Sequence, residues 1–289
     1  MWAALSAKKR LTSECCWCGC WLGIVCGGLI LAAGCANQIE NTSQESCVDS
    51  GGMARLFVES AKVDLMDWPG RLVEDSRDTF SRSDNLCALL LAGWASVVMH
   101  NTNADRDIAE DFDEHAVFDG FADESLNVIG SPVTHLVATG LWYTLSVEEQ
   151  DGFNRERAWT MMTALSVTGL VTAGLKFIRD NETPSGGPWA WPSGHTASSF
   201  TVASVLDEFY GPKVGIPAYG IASLVACRMM DAGDHWASDV VFGATLGCVV
   251  GHTIAAKHKK LELAGFEIVP HYVMTGDHPA MGVSLVKQF

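Results

Sequence analysis

The sequence predicts an all-α fold, a bundle of six helices closed by a small C-terminal β-hairpin, on three observations. Apolar residues recur at helical spacing over residues 84–100, 131–147, 156–178, 196–210, 213–230 and 237–257. Hydrophobic residues make up 48% of the chain and charged ones 18%, enough for helices of this length to bury one another. Strand text appears only at the end, where the apolar, β-branched stretches Phe266 to Met274 and Gly282 to Phe289 flank turn residues at Thr275, Gly276 and Asp277.

Lys8, Lys9 and Arg10 precede an apolar run from Cys15 to Ala33, followed by Gly34 and Cys35, which is the grammar of an export signal over residues 1–35. Leu31-Ala32-Ala33-Gly34-Cys35 resembles a lipobox, implying an acylated Cys35 and a lipid anchor, with Ala36 resembling the outer-membrane pattern. The expected location is therefore the periplasmic face of the outer membrane, the alternative being an integral membrane protein. Residues 36–52 are rich in Asn, Ser, Gln and Gly and read as a flexible tether. Over 53–83, apolar residues at helical spacing are broken by Pro69-Gly70, which predicts two short helices with a turn between them. The catalytic helical domain is placed at 84–257 and the hairpin extension at 258–289.

Charged or turn residues interrupt several helical windows: Asp207 and Glu208, the stretch Pro212 to Pro217, and Arg228. A bilayer core disfavours such interruptions, so a water-soluble bundle is the expected form. Asp105, Asp107, Glu110, Asp111, Asp113, Glu114 and His115 form an acidic cluster without the central glycine and terminal glutamate of a calcium loop, and read as a solvated helix face. The net charge of −15 excludes a non-specific nucleic-acid binder and makes the few cations informative. Six of the ten cysteines lie in the first 35 residues, with no spacing that suits zinc. Cys227 and Cys248 read as buried thiols, whereas Cys47 and Cys87 can pair if the domain is exported.

Three pieces of sequence carry chemistry. Lys176 and Arg179, three apart on a helix, project two cations from one face, where they can neutralise a phosphate dianion. Pro192-Ser193-Gly194-His195 opens the next helix, where free N–H groups bind anions, glycine permits close approach, and an imidazole titrates near neutrality. Arg228 is followed by His235 and Asp239, four apart, the spacing at which a carboxylate holds an imidazole in the tautomer that leaves its other nitrogen free to attack.

In order and spacing these pieces resemble the type-2 phosphatidic acid phosphatase and vanadium haloperoxidase superfamily, whose pattern runs K-x6-R-P, P-S-G-H and S-R-x5-H-x3-D. Lys176 and Pro184 match the first motif, Pro192 to His195 the second in full, and Arg228, His235 and Asp239 the third. Three departures stand out: Thr183 occupies the place of the first motif's arginine, Cys227 replaces serine, and six residues rather than five separate Arg228 from His235.

The resemblance implies a metal-independent phosphatase acting on lipid or soluble phosphomonoesters, with no cofactor. His235 would attack phosphorus to form a phosphohistidine, Asp239 would stabilise the imidazolium, and His195 would protonate the leaving alcohol and then activate water. Lys176, Arg179, Ser193, Gly194 and Arg228 would hold the phosphate oxygens. Because the two histidines work in opposite protonation states, a bell-shaped pH profile is implied. Asp180, Glu182, Asp231 and Asp234 flank the pocket and read as solvated loop charges. The competing readings are a non-catalytic phosphate-binding envelope lipoprotein and a vanadium-dependent haloperoxidase.

Overall fold

The protein is described here by a computed structural model covering residues 50–259 and the strand residues 262–263, 266–275 and 278–286, with side chains for 58–259. The expected signal segment, Cys35 and Cys47 lie outside the described residues. Among those described the catalytic region is all-α. Helices are numbered α1 (Ser50–Ser81), α2 (Ser83–Asn101), α3 (Ala104–Glu114), α4 (Gly120–Gly130), α5 (Pro132–Glu148), α6 (Gly152–Ile178), α7 (Gly194–Tyr210), α8 (Pro212–Asp231) and α9 (Ala237–His258). Strands β1 (Glu262–Leu263), β2 (Phe266–Thr275) and β3 (His278–Val286) pair antiparallel in that order.

The two short helices expected over 53–83 are a single helix, α1, which runs through Pro69. Proline removes one ladder hydrogen bond, a cost that tertiary ties on both sides of the break offset. Ahead of it, Asp64 accepts a bidentate pair from Arg155 at 2.7 and 2.9 Å and a hydrogen bond from the Tyr143 hydroxyl at 2.6 Å. Beyond it, Arg71 donates to Thr160 Oγ1 at 2.7 Å and pairs with Glu156 at 2.8 Å, while buried Asp75 meets His258 and Lys257, each at 3.0 Å.

These ties gather the start of α6 and the end of α9 at one end of the molecule. Here too, Arg157 near the start of α6 stacks on Phe209 and Tyr210 at the end of α7, and Asn85 at the start of α2 donates to Thr253 Oγ1. At the other end, Ser96 of α2 donates to the Ser238 carbonyl of α9, and Ser198 of α7 donates to the Gly130 carbonyl at the α4–α5 corner. Helices α2, α6 and α8 therefore run toward the second end and α5, α7 and α9 run away from it.

Helices α7 and α9 approach closely because α9 turns a row of glycines toward α7. A Cβ on Gly243 would lie 2.7 Å from the Ser193 carbonyl, one on Gly247 2.3 Å from the Ala197 carbonyl, and one on Gly251 2.6 Å from Ser204 Cβ. Beside an apolar core of Met161, Leu165, Val205, Leu246, Val250 and Ile254, the interior holds many small and hydroxyl-bearing residues: Thr160, Thr163, Ala164 and Thr168 on α6, and Ala197, Ser198, Thr201 and Ser204 on α7. Their hydroxyls return to carbonyls one turn back, as Thr201 does to Ala197, or meet across the seam, as Thr168 does with Thr201 at 2.8 Å.

Further large apolar side chains face outward. Leu86, Leu90, Trp94 and Val97 form an exposed stripe on α2, and Val133, Val137, Leu141 and Leu145 form one on α5, each at helical spacing. Helices α6 and α9 are long and apolar enough to cross a membrane.

Candidate functional site

The sequence motifs converge where α7 and α9 begin and α6 and α8 end. Ser193 caps α7, its Oγ accepting from the Thr196 N–H at 3.4 Å, and its own N–H donates to the Asp239 carbonyl at 3.2 Å. That hydrogen bond joins the turn carrying His195 to the turn carrying His235. Arg228 and Met229 close α8, and the backbone N–H groups of Asp234 and His235 both donate to the Met229 carbonyl, folding the intervening loop back on the helix end. Gly233 takes the positive φ of 69° that this reversal needs.

His195 lies in electrostatic range of His235, Arg228, Lys176 and a third imidazole, that of His135 in the first turn of α5. His235 Nδ1 sits 3.6 Å from Asp239 Oδ2, and Oδ2 also accepts the Trp236 N–H at 2.9 Å. His235 Nδ1 and Asp239 Oδ1 are both buried without a hydrogen-bond partner. Buried polar atoms left unpaired beside an imidazole–carboxylate contact of this length fit a site whose hydrogen bonds tighten when substrate binds. His135 Nδ1 is likewise buried without a hydrogen-bond partner.

The cations are distributed less simply than their order in the chain implies. Lys176 donates to the Trp189 carbonyl and, at 3.4 Å, to that of Ala190, so backbone oxygens hold it while Asp239 acts on it electrostatically. Arg179 follows the last turn of α6 and lays its guanidinium 5.3 Å from the centre of the Trp191 ring. Arg228 is almost fully enclosed. Its Nε and Nη2 grip Asp123 of α4 at 2.7 and 3.3 Å, and its Nη1 meets Asp234 at 2.6 Å and Asn127 at 3.4 Å.

The helix start and the first-motif departure are arranged as follows. The Ser193 hydroxyl is buried within its own cap, 3.0 Å from Thr196 Oγ1. Gly194 heads α7 with its N–H ahead of the helix's own ladder, as an anion site needs. Thr183, in the place of the first-motif arginine, closes a tight turn: its N–H donates to the Gly187 carbonyl, and its Oγ1 accepts from the Gly187 N–H, both at 2.8 Å.

Sequence reasoning missed Asp123 and Asn127. Their i, i+4 spacing on α4 was the available signal, but nothing pointed it at Arg228. It also misjudged two acids as solvated. Asp105 is buried and takes both the N–H and the hydroxyl of Ser238, at 2.9 and 2.6 Å, anchoring the start of α9. Asp231 holds the backbone N–H groups of Val117 and Phe118 at 2.7 and 3.1 Å. Asp180 and Glu182 are exposed, as expected. Cys87, Cys227 and Cys248 are free thiols.

The sequence model of the PAP2 superfamily matches residues 110–262, the span that holds every residue of this constellation. A lipid A 1-phosphatase of Porphyromonas gingivalis is 35% identical over 107 residues, which are 34% of this chain and 24% of that protein, so the chain spans about a quarter of this relative's length. Among solved structures, a transmembrane PAP2-type phosphatidylglycerolphosphate phosphatase from Bacillus subtilis superposes with a TM-score of 0.52 at 17% identity. The match covers 63% of this chain and 96% of that one, a likeness of fold.

Proposed function

Because the chain belongs to the PAP2 superfamily, we propose that it is a phosphoric ester hydrolase that removes phosphate from lipids through a phosphohistidine on His235. The observation that carries this reading is the hydrogen bond from the Ser193 N–H to the Asp239 carbonyl, which joins the turn carrying His195 to the turn carrying His235. In the first step His235 Nε2 bonds to phosphorus as the ester P–O bond breaks, and His195 gives the departing alkoxide a proton. Asp239 faces Nδ1 and balances the charge that the ring acquires. In the second step His195 takes a proton from water, whose oxygen displaces His235 and releases inorganic phosphate. Lys176, Arg228 and the Gly194 N–H stabilise the equatorial oxygens, and Arg179 stands in for the cation that Thr183 does not supply.

The six helices α2 and α5–α9 are read as the catalytic bundle, seated in a bilayer. Small residues where α7 meets α9, with large apolar stripes exposed on α2 and α5, are features that helix packing in lipid favours. This setting replaces the water-soluble form expected from interrupted windows. Two of the interrupting charges are internally matched: Glu208 with His252 at 3.0 Å, and Arg228 with Asp123 and Asp234. A lipid substrate fits both this setting and the two relatives, whose names specify lipid A and phosphatidylglycerolphosphate. A lipid on Cys35 would add a second hold on the membrane, read by fatty-acid labelling that Cys35→Ser abolishes.

The test is release of inorganic phosphate from a panel of lipid phosphates by the detergent-solubilised chain in chelator. Hydrolysis lost in His235→Ala, with an acid-labile phosphoryl group trapped on the wild type, supports the reading. Equal background in both proteins refutes it in favour of a phosphate-binding protein.

A further inference from the structure

Arg228 has five N–H bonds to give, and in this structure four are directed at protein oxygens. Asp123 takes the side-on fork of Nε and Nη2, while Asp234 and Asn127 take Nη1. One Nη2 donor is left for a phosphate oxygen, which is half of what a guanidinium uses when it grips a phosphate bidentately.

The two carboxylates are not equivalent. Asp123 contributes both oxygens from helix α4, and its side chain is 35% exposed. Asp234 contributes one oxygen from a loop and is 48% exposed. The loop is where the chain departs from the superfamily pattern: six residues rather than five separate Arg228 from His235. The reversal at Gly233 brings the next residue, an acid, onto the guanidinium.

We propose that Asp234 is an internal stand-in for phosphate: its carboxylate occupies the end-on donor of Arg228 until a phosphate ester displaces it, while Asp123 stays in place and aims the guanidinium. This rests on the hydrolase reading for its physiological ligand, and it assigns the two acids opposite effects. Displacing Asp234 frees an Nη1 donor beside the Nη2 one, giving two parallel hydrogen bonds to equatorial oxygens. Asp123 is a positioning residue. Without it the guanidinium is free to turn toward Asp234 and away from the substrate. The latch raises the phosphate concentration that the site requires, and in return the Nη1 donor of the enclosed cation stays hydrogen-bonded between substrates.

The experiment compares the detergent-solubilised wild type, Asp234→Asn, Asp123→Asn and Asp123→Glu, with inorganic phosphate as the probe. Binding is read by calorimetry and, where hydrolysis is present, by competitive inhibition against a soluble phosphomonoester. Asp234→Asn is expected to tighten phosphate binding and lower KM by about fivefold, the scale of a half-exposed ion pair. Asp123→Asn is expected to weaken binding and raise KM by about tenfold or more, the scale of a charge-assisted pair, with partial recovery in Asp123→Glu. A change in the same direction for both asparagine variants, or no tightening in Asp234→Asn, overturns the proposal, as does failure of phosphate to bind any of the four proteins. Phosphate binding that follows the expected pattern without hydrolysis upholds the latch and sinks the hydrolase reading.

Discussion

Replacing Gly243 by alanine tests whether the close approach of α7 and α9 sets the geometry of the two histidines. The added Cβ would lie 2.7 Å from the Ser193 carbonyl oxygen, where ordinary contact begins at 3.4 Å. Relief requires α7 to retreat by about 0.7 Å, because neither helix backbone can yield locally. The carbonyl that must move belongs to the residue capping α7, two positions before His195, and the N–H of that residue is bonded to the Asp239 carbonyl at 3.2 Å. Overpacking of this kind costs about 1–3 kcal/mol in stability. A misplacement approaching 1 Å at a reacting group lowers the rate by up to ~10²-fold, so a loss of about tenfold to a hundredfold in kcat is expected. Gly251→Ala is the matched control. Its Cβ would meet Ser204 Cβ at 2.6 Å and the Thr201 carbonyl at 2.8 Å, with similar crowding, about 12 Å further along α9 from the histidines. Both variants are assayed for thermal unfolding in detergent and for kcat on one lipid phosphate. Equal falls in kcat, or a Gly243→Ala protein that loses stability while keeping the wild-type rate, would refute the positioning role.

Other outcomes follow from the same geometry. Asp239→Asn is expected to lower kcat by ~10²–10⁴-fold with little change in KM, since it removes the partner of the attacking ring and touches no substrate; steady-state kinetics reads the split. Asp75 is pushed upward by burial, but hydrogen bonds from His258 and Lys257 outweigh that and hold its carboxyl below the usual range. A depressed folded-state pKa gives stability that is present above the unfolded value and lost as pH falls through the folded one. The difference in unfolding temperature between wild type and Asp75→Asn is therefore expected to be full at neutral pH and to shrink under strong acid; a constant gap from pH 7 to 2 would contradict it. Gly140→Ala on α5, where a Cβ would meet nothing within 4 Å, is expected to be neutral or stabilising by up to ~1 kcal/mol in the same unfolding assay. Asp231→Ala frees the N–H groups of Val117 and Phe118 and is expected to speed proteolysis between α3 and α4.

The helical class was legible, and the candidate site positions could be picked out, because both depend on local pattern. Apolar spacing marks a helix wherever it packs, and His235 and Asp239 are neighbours by helix geometry alone. What escaped was set by partners distant in the chain. Pro69 reads as a break until Asp64, Arg71 and Asp75 are seen clamped to α6 and α9 on either side of it. Asp105 belongs to a run of acids that looks solvated, yet it alone turns inward to meet Ser238, more than a hundred residues away. Arg228 was identifiable as a site cation, but which way its guanidinium faces is decided by Asp123 on another helix and by the added loop residue. The bilayer setting proposed above was not legible for a related reason. Charges inside helical windows argue against lipid only when unpaired, and pairing is a property of the fold.

The alternation of helix direction has a consequence for how the molecule sits. Because α2 ascends toward the reacting residues and α9 descends from them, entry and exit fall on the same side, opposite the chemistry. The start of α2 and the end of α9 therefore lie at one end of the bundle, and the turns that carry His195 and His235 lie at the other. If the bundle is seated in a bilayer as proposed, reporter groups at Cys87, near the foot of α2, and at a cysteine introduced at Lys259 are expected to become accessible together, and one placed at Glu182 from the opposite side.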